Sequence, residues 1–156
     1  MRGRVSVERL SGHVDALPLL AQWFKAEWPA WYGPGGRGSA ERDLQEFSAE
    51  RGLPTGVIAL LNGSPCGVAA LKERSIPGHE HLSPWAAAGF VVPSHRGQGI
   101  GQRLLHALEA EAKTLGFQHI FCASATAGTL LLRSQWNLIE STVHEGKSLG
   151  IYAKAL

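Results

Sequence analysis

The sequence predicts one α/β domain of mixed α+β type, with a mixed central sheet of about six or seven strands flanked by about four helices. Three observations lead there. An apolar run from Ala86 to Val92 passes through a glycine-rich turn into an amphipathic helix and then into a second apolar run, Phe117 to Ser124. Such a crossover implies a parallel pair with a right-handed connection. Second, the apolar runs Thr55 to Leu61 and Pro65 to Glu73 are separated by Asn62-Gly63, a turn dipeptide that predicts an antiparallel hairpin. Third, 156 residues with 44% hydrophobic content suit one core. With no repeat or linker composition, residues 1–156 are expected to form a single domain.

The remaining elements follow in order. Val5 to Leu10 alternates apolar and polar residues and predicts a first strand. Leu17, Leu20, Phe24 and Trp28 recur at helical spacing, predicting a helix over Val14 to Glu27, with Pro18 tolerated in its first turn. The prolines and glycines between Trp28 and Gly38 argue against regular structure. Ser39 suits the N-cap of a second helix over Ala40 to Arg51, with Gly52 as its stop. Ile76 to Pro84 is a polar loop containing His79-Glu80-His81. The continuously apolar run from Ala86 to Val92, broken only by Gly89, predicts a strand buried on both faces. From about Gly99 a helix carries Leu104, Leu105, Leu108, Ala112 and Leu115 on one stripe, with Glu109 and Lys113 as an exposed i,i+4 pair and Gly116 as C-cap. Ala125 to Ser134 predicts a short helix, and Trp136 to His144 and Ser148 to Ala155 the last strands.

Composition narrows the function classes. Lys and Arg number 15 against 13 Asp and Glu, so no broad cationic field of the kind nucleic-acid binders carry is expected. Cys66 and Cys122 form no C-x-x-C or Cys/His ligand pattern and are read as reduced thiols, Cys122 as a buried structural one. No leader composition opens the chain and no apolar run approaches the roughly 18 residues of a membrane span. A cytoplasmic protein without membrane or nucleic-acid partners is the expectation.

The most informative string is Val92-Pro93-Ser94-His95-Arg96-Gly97-Gln98-Gly99-Ile100-Gly101-Gln102-Arg103-Leu104-Leu105. Glycines at 97, 99 and 101 remove the Cβ atoms that would block close approach, so several backbone N–H groups can point at one anion beside a positive helix end. The dinucleotide fingerprint fails, because Gln102 stands where its third glycine belongs, and no P-loop string occurs. Arg96, Gly99 and Gly101 do fit R-x-x-G-x-G.

As a strand, a proline turn, R-G-x-G-I-G and a helix, this segment resembles the pyrophosphate-binding motif of the GNAT superfamily of N-acetyltransferases. The order β-α-α-β-β-β-α-β-α-β-β is similar to that fold along essentially the whole chain, the most specific part lying within about residues 84–136. The resemblance implies acetyl-CoA as acyl donor and direct attack by an amine in a ternary complex, without an acyl-enzyme. It assigns Gly97, Gln98, Gly99, Ile100, Gly101 and Gln102 to the cofactor, with Arg96 adding charge. Gly89, Phe90 and Val91 match the strand whose freed main chain would pair with the pantetheine arm and face the thioester oxygen. Gly89 also suits a bulge or a close backbone approach.

Proton handling departs from the family pattern. Relatives place a tyrosine on the helix after the fifth strand, and aligning Trp136 with the aromatic of that segment puts Leu131 in its place. Water or Ser124 is left to protonate the thiolate. Base candidates are Glu73, His79, Glu80 and His81, histidine having a suitable intrinsic pKa. His79-x-His81 lacks a third ligand at convincing spacing, so no metal is expected. Trp28, Trp31, Tyr32 and Trp85 lie where the resemblance places the acceptor pocket, and aromatic walls there suit a planar or cationic acceptor. The leading reading is N-acetylation of a primary amine on a small molecule, amino acid or peptide. The rival is a non-catalytic module that binds acetyl-CoA or coenzyme A. Dimers are common in the family, which leaves a homodimer as an open expectation.

Overall fold

In the computed structural model, which describes residues 3–156, the strands are β1 (Val5–Arg9), β2 (Thr55–Leu61), β3 (Ser64–Lys72), β4 (Trp85–Val91), β5 (His119–Ser124), β6 (Asn137–His144) and β7 (Lys147–Ala155). They form one mixed sheet in the order β1-β2-β3-β4-β5-β7-β6. The α-helices are α1 (Leu17–Glu27), α2 (Pro29–Tyr32), α3 (Ala40–Phe47), α4 (Ile100–Thr114) and α5 (Gly128–Arg133). All pairings are antiparallel except β4 with β5, where the predicted crossover through α4 makes them parallel.

Local chemistry accounts for many boundaries. Asn62 and Gly63 take the positive φ values of 51° and 85° that a tight hairpin turn requires. Ser39 caps α3 by accepting from the Arg42 N–H at 3.2 Å. That helix ends at Phe47, earlier than expected, and Gly52 serves the following turn instead. Pro29 also overturns one expectation. Its fixed φ suits the first turn of a helix, so Pro29–Tyr32 forms the short helix α2 inside a segment read as irregular.

Two cores cover the sheet. On one face Leu104, Leu108 and Ala112 of α4 and Leu131 of α5 pack with Ala59, Leu71, Ile120 and Trp136. On the other, Leu20 and Phe24 of α1 and Leu44 and Phe47 of α3 pack with Ile58, Leu60, Val68 and Phe90. Each fully buried leucine or phenylalanine contributes about 1.5–3 kcal/mol.

Two helix α4 expectations are corrected. Leu115 remains 38% exposed, because it lies beyond the last turn that reaches the sheet. Glu109 does not pair with Lys113 in solvent. It accepts from Lys154 Nζ at 2.8 Å and from the Trp136 indole at 3.2 Å, with its side chain only 13% exposed. A partner on β7 in a low-dielectric setting competes better than a neighbour in water.

Strand β4 is not buried on both faces. Trp85, Ala86 and Phe90 are buried, Ala87 and Ala88 are half-buried, and Gly89 is exposed. Its register explains this. Val68 pairs with Phe90 and Ala70 with Ala87, so Ala88 and Gly89 together face Ala69. This β-bulge, with Ala88 at φ 54°, interrupts the β3–β4 ladder at Ala88 and Gly89, and pairing resumes at Phe90 and Val91.

Candidate functional site

The bulge coincides with the end of pairing between β4 and β5. These strands pair at Trp85 with Phe121 and at Ala86 with Cys122, and no further. From Ala87 to Val91 the β5-facing edge of β4 is free of that ladder, as is β5 from Ala123 to Ser124. Parallel strands that part this way leave unpaired N–H and C=O groups facing a gap, which an extended amide-bearing ligand satisfies. A Cβ built on Gly89 meets no atom within 4 Å. Packing therefore does not demand the glycine, and the space beside it is open.

The glycine loop closes the open end of this gap. Gly97 and Gly99 have φ values of 79° and 82°, and neither would bring a Cβ near any atom. Their left-handed backbone turns successive N–H groups toward the start of α4, for which Gly99 is the N-cap. Gly101 differs, since its Cβ would press on Leu130 of α5 at 3.2 Å, so its smallness also sets the approach of α5 to α4. Ile100 is 1% exposed and anchors the loop in the core, leaving only its main chain for a ligand. Gln98 is exposed and Gln102 half-buried. A cleft of about 700 Å³ borders the loop on the β1–β2 side, lined by Val5, Leu61, Ser94, His95, Gly97, Gln98 and Arg103.

Arg96 is committed elsewhere than expected. Its Nε donates to the Val91 carbonyl at 2.8 Å, a terminal nitrogen donates to Glu27 at 3.3 Å, and the guanidinium lies over the Phe90 ring at 5.4 Å. The side chain thus reaches the α1 face. Ser124 is also engaged, its hydroxyl accepting from the N–H groups of Thr126 and Ala127 at 3.2 and 2.8 Å. It shapes the β5–α5 turn. Leu131, which the resemblance set in the place of the family's tyrosine, is 1% exposed and part of the core.

The aromatic residues separate into different tasks. Trp85 is a correction: it is wholly enclosed, its indole donates to the Leu82 carbonyl at 2.7 Å, and it presents no surface to an acceptor. Trp31 lies beside its own loop, with Arg37 over its ring at 5.5 Å. Tyr32 stacks on Phe24 and donates its hydroxyl to Asp43 at 2.7 Å. Burial, followed by that carboxylate, pushes its pKa upward. Trp28 is half-buried and meets Phe90 of β4 edge-on at 6.4 Å. Trp23, absent from the sequence reading, lies closer to Phe90 at 5.4 Å. Trp23 and Glu27 flank the buried stripe of α1 one turn apart, a spacing visible in the chain but without a known partner until β4 is in place.

The polar candidates do not converge. Glu73 borders a depression with Gly52, Leu53, Ser83, Leu115 and Phe117, beyond the paired end of β4 and about 13 Å along that strand from Gly89. His79 pairs with Glu140 of β6, a contact that raises its pKa. Glu80 turns back to accept the Gly78 N–H at 3.1 Å, and that bond holds its carboxyl below the usual range. His81 is exposed and stacks beside His79 at 6.1 Å. Cys122 is inert, burial pushing its thiol up to about 12. Among the described residues no three His, Cys, Asp or Glu side chains cluster as metal ligands, and no helix is long and apolar enough to cross a membrane.

Comparison with known proteins bears on this geometry. A search of curated proteins finds no match. Among solved structures, an aminoglycoside 6'-N-acetyltransferase complexed with coenzyme A superposes with a TM-score of 0.78 at 14% identity, covering 96% of each chain. A GCN5-related N-acetyltransferase from Kribbella flavida gives 0.73 at 17% identity, covering 97% of this chain and 98% of that one. The structure of yncA from Salmonella typhimurium with its cofactor acetyl-CoA gives 0.71 at 16% identity, covering 97% and 93%. Residues 20–131, which hold the bulged strand, the gap and the glycine loop, match the model of the Acetyltransferase (GNAT) family. The chain therefore belongs to the GNAT acetyltransferase family and is an acyltransferase whose acyl donor is acetyl-CoA.

Proposed function

We propose that this protein transfers the acetyl group of acetyl-CoA to a primary amine of a small molecule, amino acid or peptide, by direct attack of the amine on the thioester. The observation that carries the reading is the parting of β4 from β5 after Ala86 and Cys122, beside a glycine loop at the head of α4. Gly97 to Gln102 would hold the pyrophosphate through main-chain N–H groups. The free edge of β4 at Gly89, Phe90 and Val91 would pair with the pantetheine arm and present an N–H to the thioester oxygen. Arg96 supports the site by tying the loop to Val91.

The acceptor would approach from the α1 face. There Trp23 and Trp28 stand against Phe90, Tyr32 braces Trp28, and Glu27 is 38% exposed at the side chain beside Arg96. Aromatic rings with a nearby carboxylate suit an amine that arrives as a cation. Its proton would pass to a base, for which Glu80 and His81, exposed on the β3–β4 loop, remain candidates. No Cys or Ser is activated as a nucleophile, which favours direct transfer.

Thermal unfolding with and without acetyl-CoA tests the donor site, since a ligand at 100 times its Kd adds about 2.7 kcal/mol of stability. Coenzyme A release with a panel of amines then tests turnover. The panel should include an aminoglycoside, the substrate class named for one similar structure, together with a polyamine and an amino acid amide. A thermal shift without turnover on any amine would leave a donor-binding module and overturn the transfer reading.

A further inference from the structure

We propose that Trp31 and Glu145 form a receptor for a cationic group of the acceptor and that Arg37 fills it as an internal stand-in. The preferred acceptor is then a small polycation whose second charge lies some way from the reacting amine. This deepens the transfer reading above and rests on it. An aromatic face beside a carboxylate offers an organic cation both of its favoured contacts. Here the chain supplies the cation itself.

The Arg37 guanidinium lies 5.5 Å from the centre of the Trp31 ring and donates to the Glu145 carboxylate at 2.8 Å. Each half of this receptor is held by its own backbone. The Gly38 N–H donates to the Trp31 carbonyl at 2.9 Å, and a Cβ on Gly38 would meet the indole nitrogen at 2.3 Å. The indole thus rests on main chain that leaves no room for a side chain, while Trp31 stays 41% exposed. Glu145 sits in the turn between β6 and β7, where it and Gly146 take φ values of 51° and 78°. Its other cationic neighbour is His144, at 4.0 Å. The Arg37 and Glu145 side chains remain 77% and 52% exposed, and ion pairs so open to water add little to stability. A soluble cation can therefore displace the guanidinium at small cost.

Strand order places the pair at the gap. Helices α1 and α3 cover β2, β3 and β4, whereas β7 and β6 lie beyond β5. The pairing of β7 with β5 stops at Gly150 and Ser124, so Lys147 and the turn before it project past the C-terminal end of β5. Strands β4 and β5 are parallel and part toward that same end. Arg37, in the loop between α2 and α3, thus reaches Glu145 across the open end of the gap, from the side on which the acceptor would approach.

A row of rings runs from this pair to the bulge. Trp31 meets Tyr32 at 6.5 Å, Tyr32 meets Trp28 at 6.3 Å, and Trp28 meets Phe90 at 6.4 Å. Phe90 follows Gly89, where the proposed function sets the thioester. Each end of the row has a carboxylate, Glu27 beside Arg96 at Phe90 and Glu145 at Trp31. A methylene chain laid along the rings would carry the reacting amine at one end and the second cation at the other.

Calorimetry on the protein saturated with coenzyme A tests this, with spermidine as the polycationic probe and propylamine as the single charge. Arg37→Ala empties the receptor, and it is expected to bind spermidine roughly tenfold more tightly than the wild type while propylamine changes less than about threefold. Adding Glu145→Gln, or separately Trp31→Leu, to Arg37→Ala should abolish the gain. Equal spermidine affinity in the wild type and Arg37→Ala overturns the proposal. So does an equal gain for both amines, which would mark a widened entrance, or a gain that survives Glu145→Gln. Acetyl transfer without the spermidine gain removes this inference alone, whereas the gain without transfer to any amine removes the transfer reading and leaves a cation site.

Discussion

Arg96 donates its Nε–H to the carbonyl oxygen of Val91 at 2.8 Å, fastening the glycine loop to the last residue of β4. The same guanidinium spans Phe90 and Glu27, so one side chain joins the glycine loop to helix α1. Arg96→Ala is expected to cost about 1 kcal/mol of stability and to weaken acetyl-CoA binding roughly tenfold through a loosened loop. Arg96→Lys should recover little, because a point charge cannot make the fork and stack together. Calorimetric titration with acetyl-CoA checks both; full recovery by lysine would show that charge alone matters.

Gly89 faces open space on the unpaired stretch of β4, which the proposed function assigns to the donor. Its Cβ position is empty and its φ is outside the left-handed region, so Gly89→Val should leave the stability of the free protein within about 0.5 kcal/mol of wild type. The acetyl-CoA-induced thermal shift should nevertheless largely disappear. An undiminished shift would remove the β4 edge from the donor site.

Gly99 at φ 82° predicts a different signature. Gly99→Ala should destabilise the free protein by about 1–2 kcal/mol, because a Cβ is strained in that backbone region whatever room surrounds it. Chemical denaturation in the absence of ligand reads this directly, and an unchanged midpoint would contradict the left-handed cap.

Glu109 is a stability residue rather than a surface one. Removing it in Glu109→Ala leaves Lys154 and the Trp136 indole without their carboxylate in a largely enclosed site, at an expected cost of about 2–3 kcal/mol. Lys113→Ala, which deletes the partner suggested by helical spacing, should change stability by less than about 0.5 kcal/mol. Paired denaturation curves decide between the two assignments.

His79 and Glu140 join the β3–β4 loop to β6, and the contact raises the histidine pKa. A raised folded-state pKa means that protonation favours the folded protein. The contribution is complete below the ordinary histidine range and is lost as pH climbs through the raised value. Glu140→Gln should therefore lower the melting temperature near pH 5 and change it little near pH 9. Equal effects at both ends would show that the pair does not titrate with folding.

How much of this was legible beforehand varies with the range of the cause. The Asn62-Gly63 turn, the Ser39 cap and the positive φ of Gly97 and Gly99 depend on a few adjacent residues, and each is written in the chain. The order of strands and helices follows from burial periodicity in the same way. Helix α2 was missed because Pro29 was weighed as a breaker, although at a first turn it is a former. Glu109 was misassigned because helical spacing names Lys113, while Lys154 is nearby only once β7 is laid beside β5.

What the sequence by itself determined is the class of fold and the glycine turn at the head of α4, since backbone preference and apolar period act within one turn or one strand. The tertiary structure decided which edges stay unpaired and which polar groups are already occupied. The gap after Ala86, the diversion of Arg96 to Val91 and the enclosure of Trp85 each depend on register between strands distant in the chain. Register is a competition among many long-range pairings, and its outcome at one residue depends on packing everywhere else in the sheet.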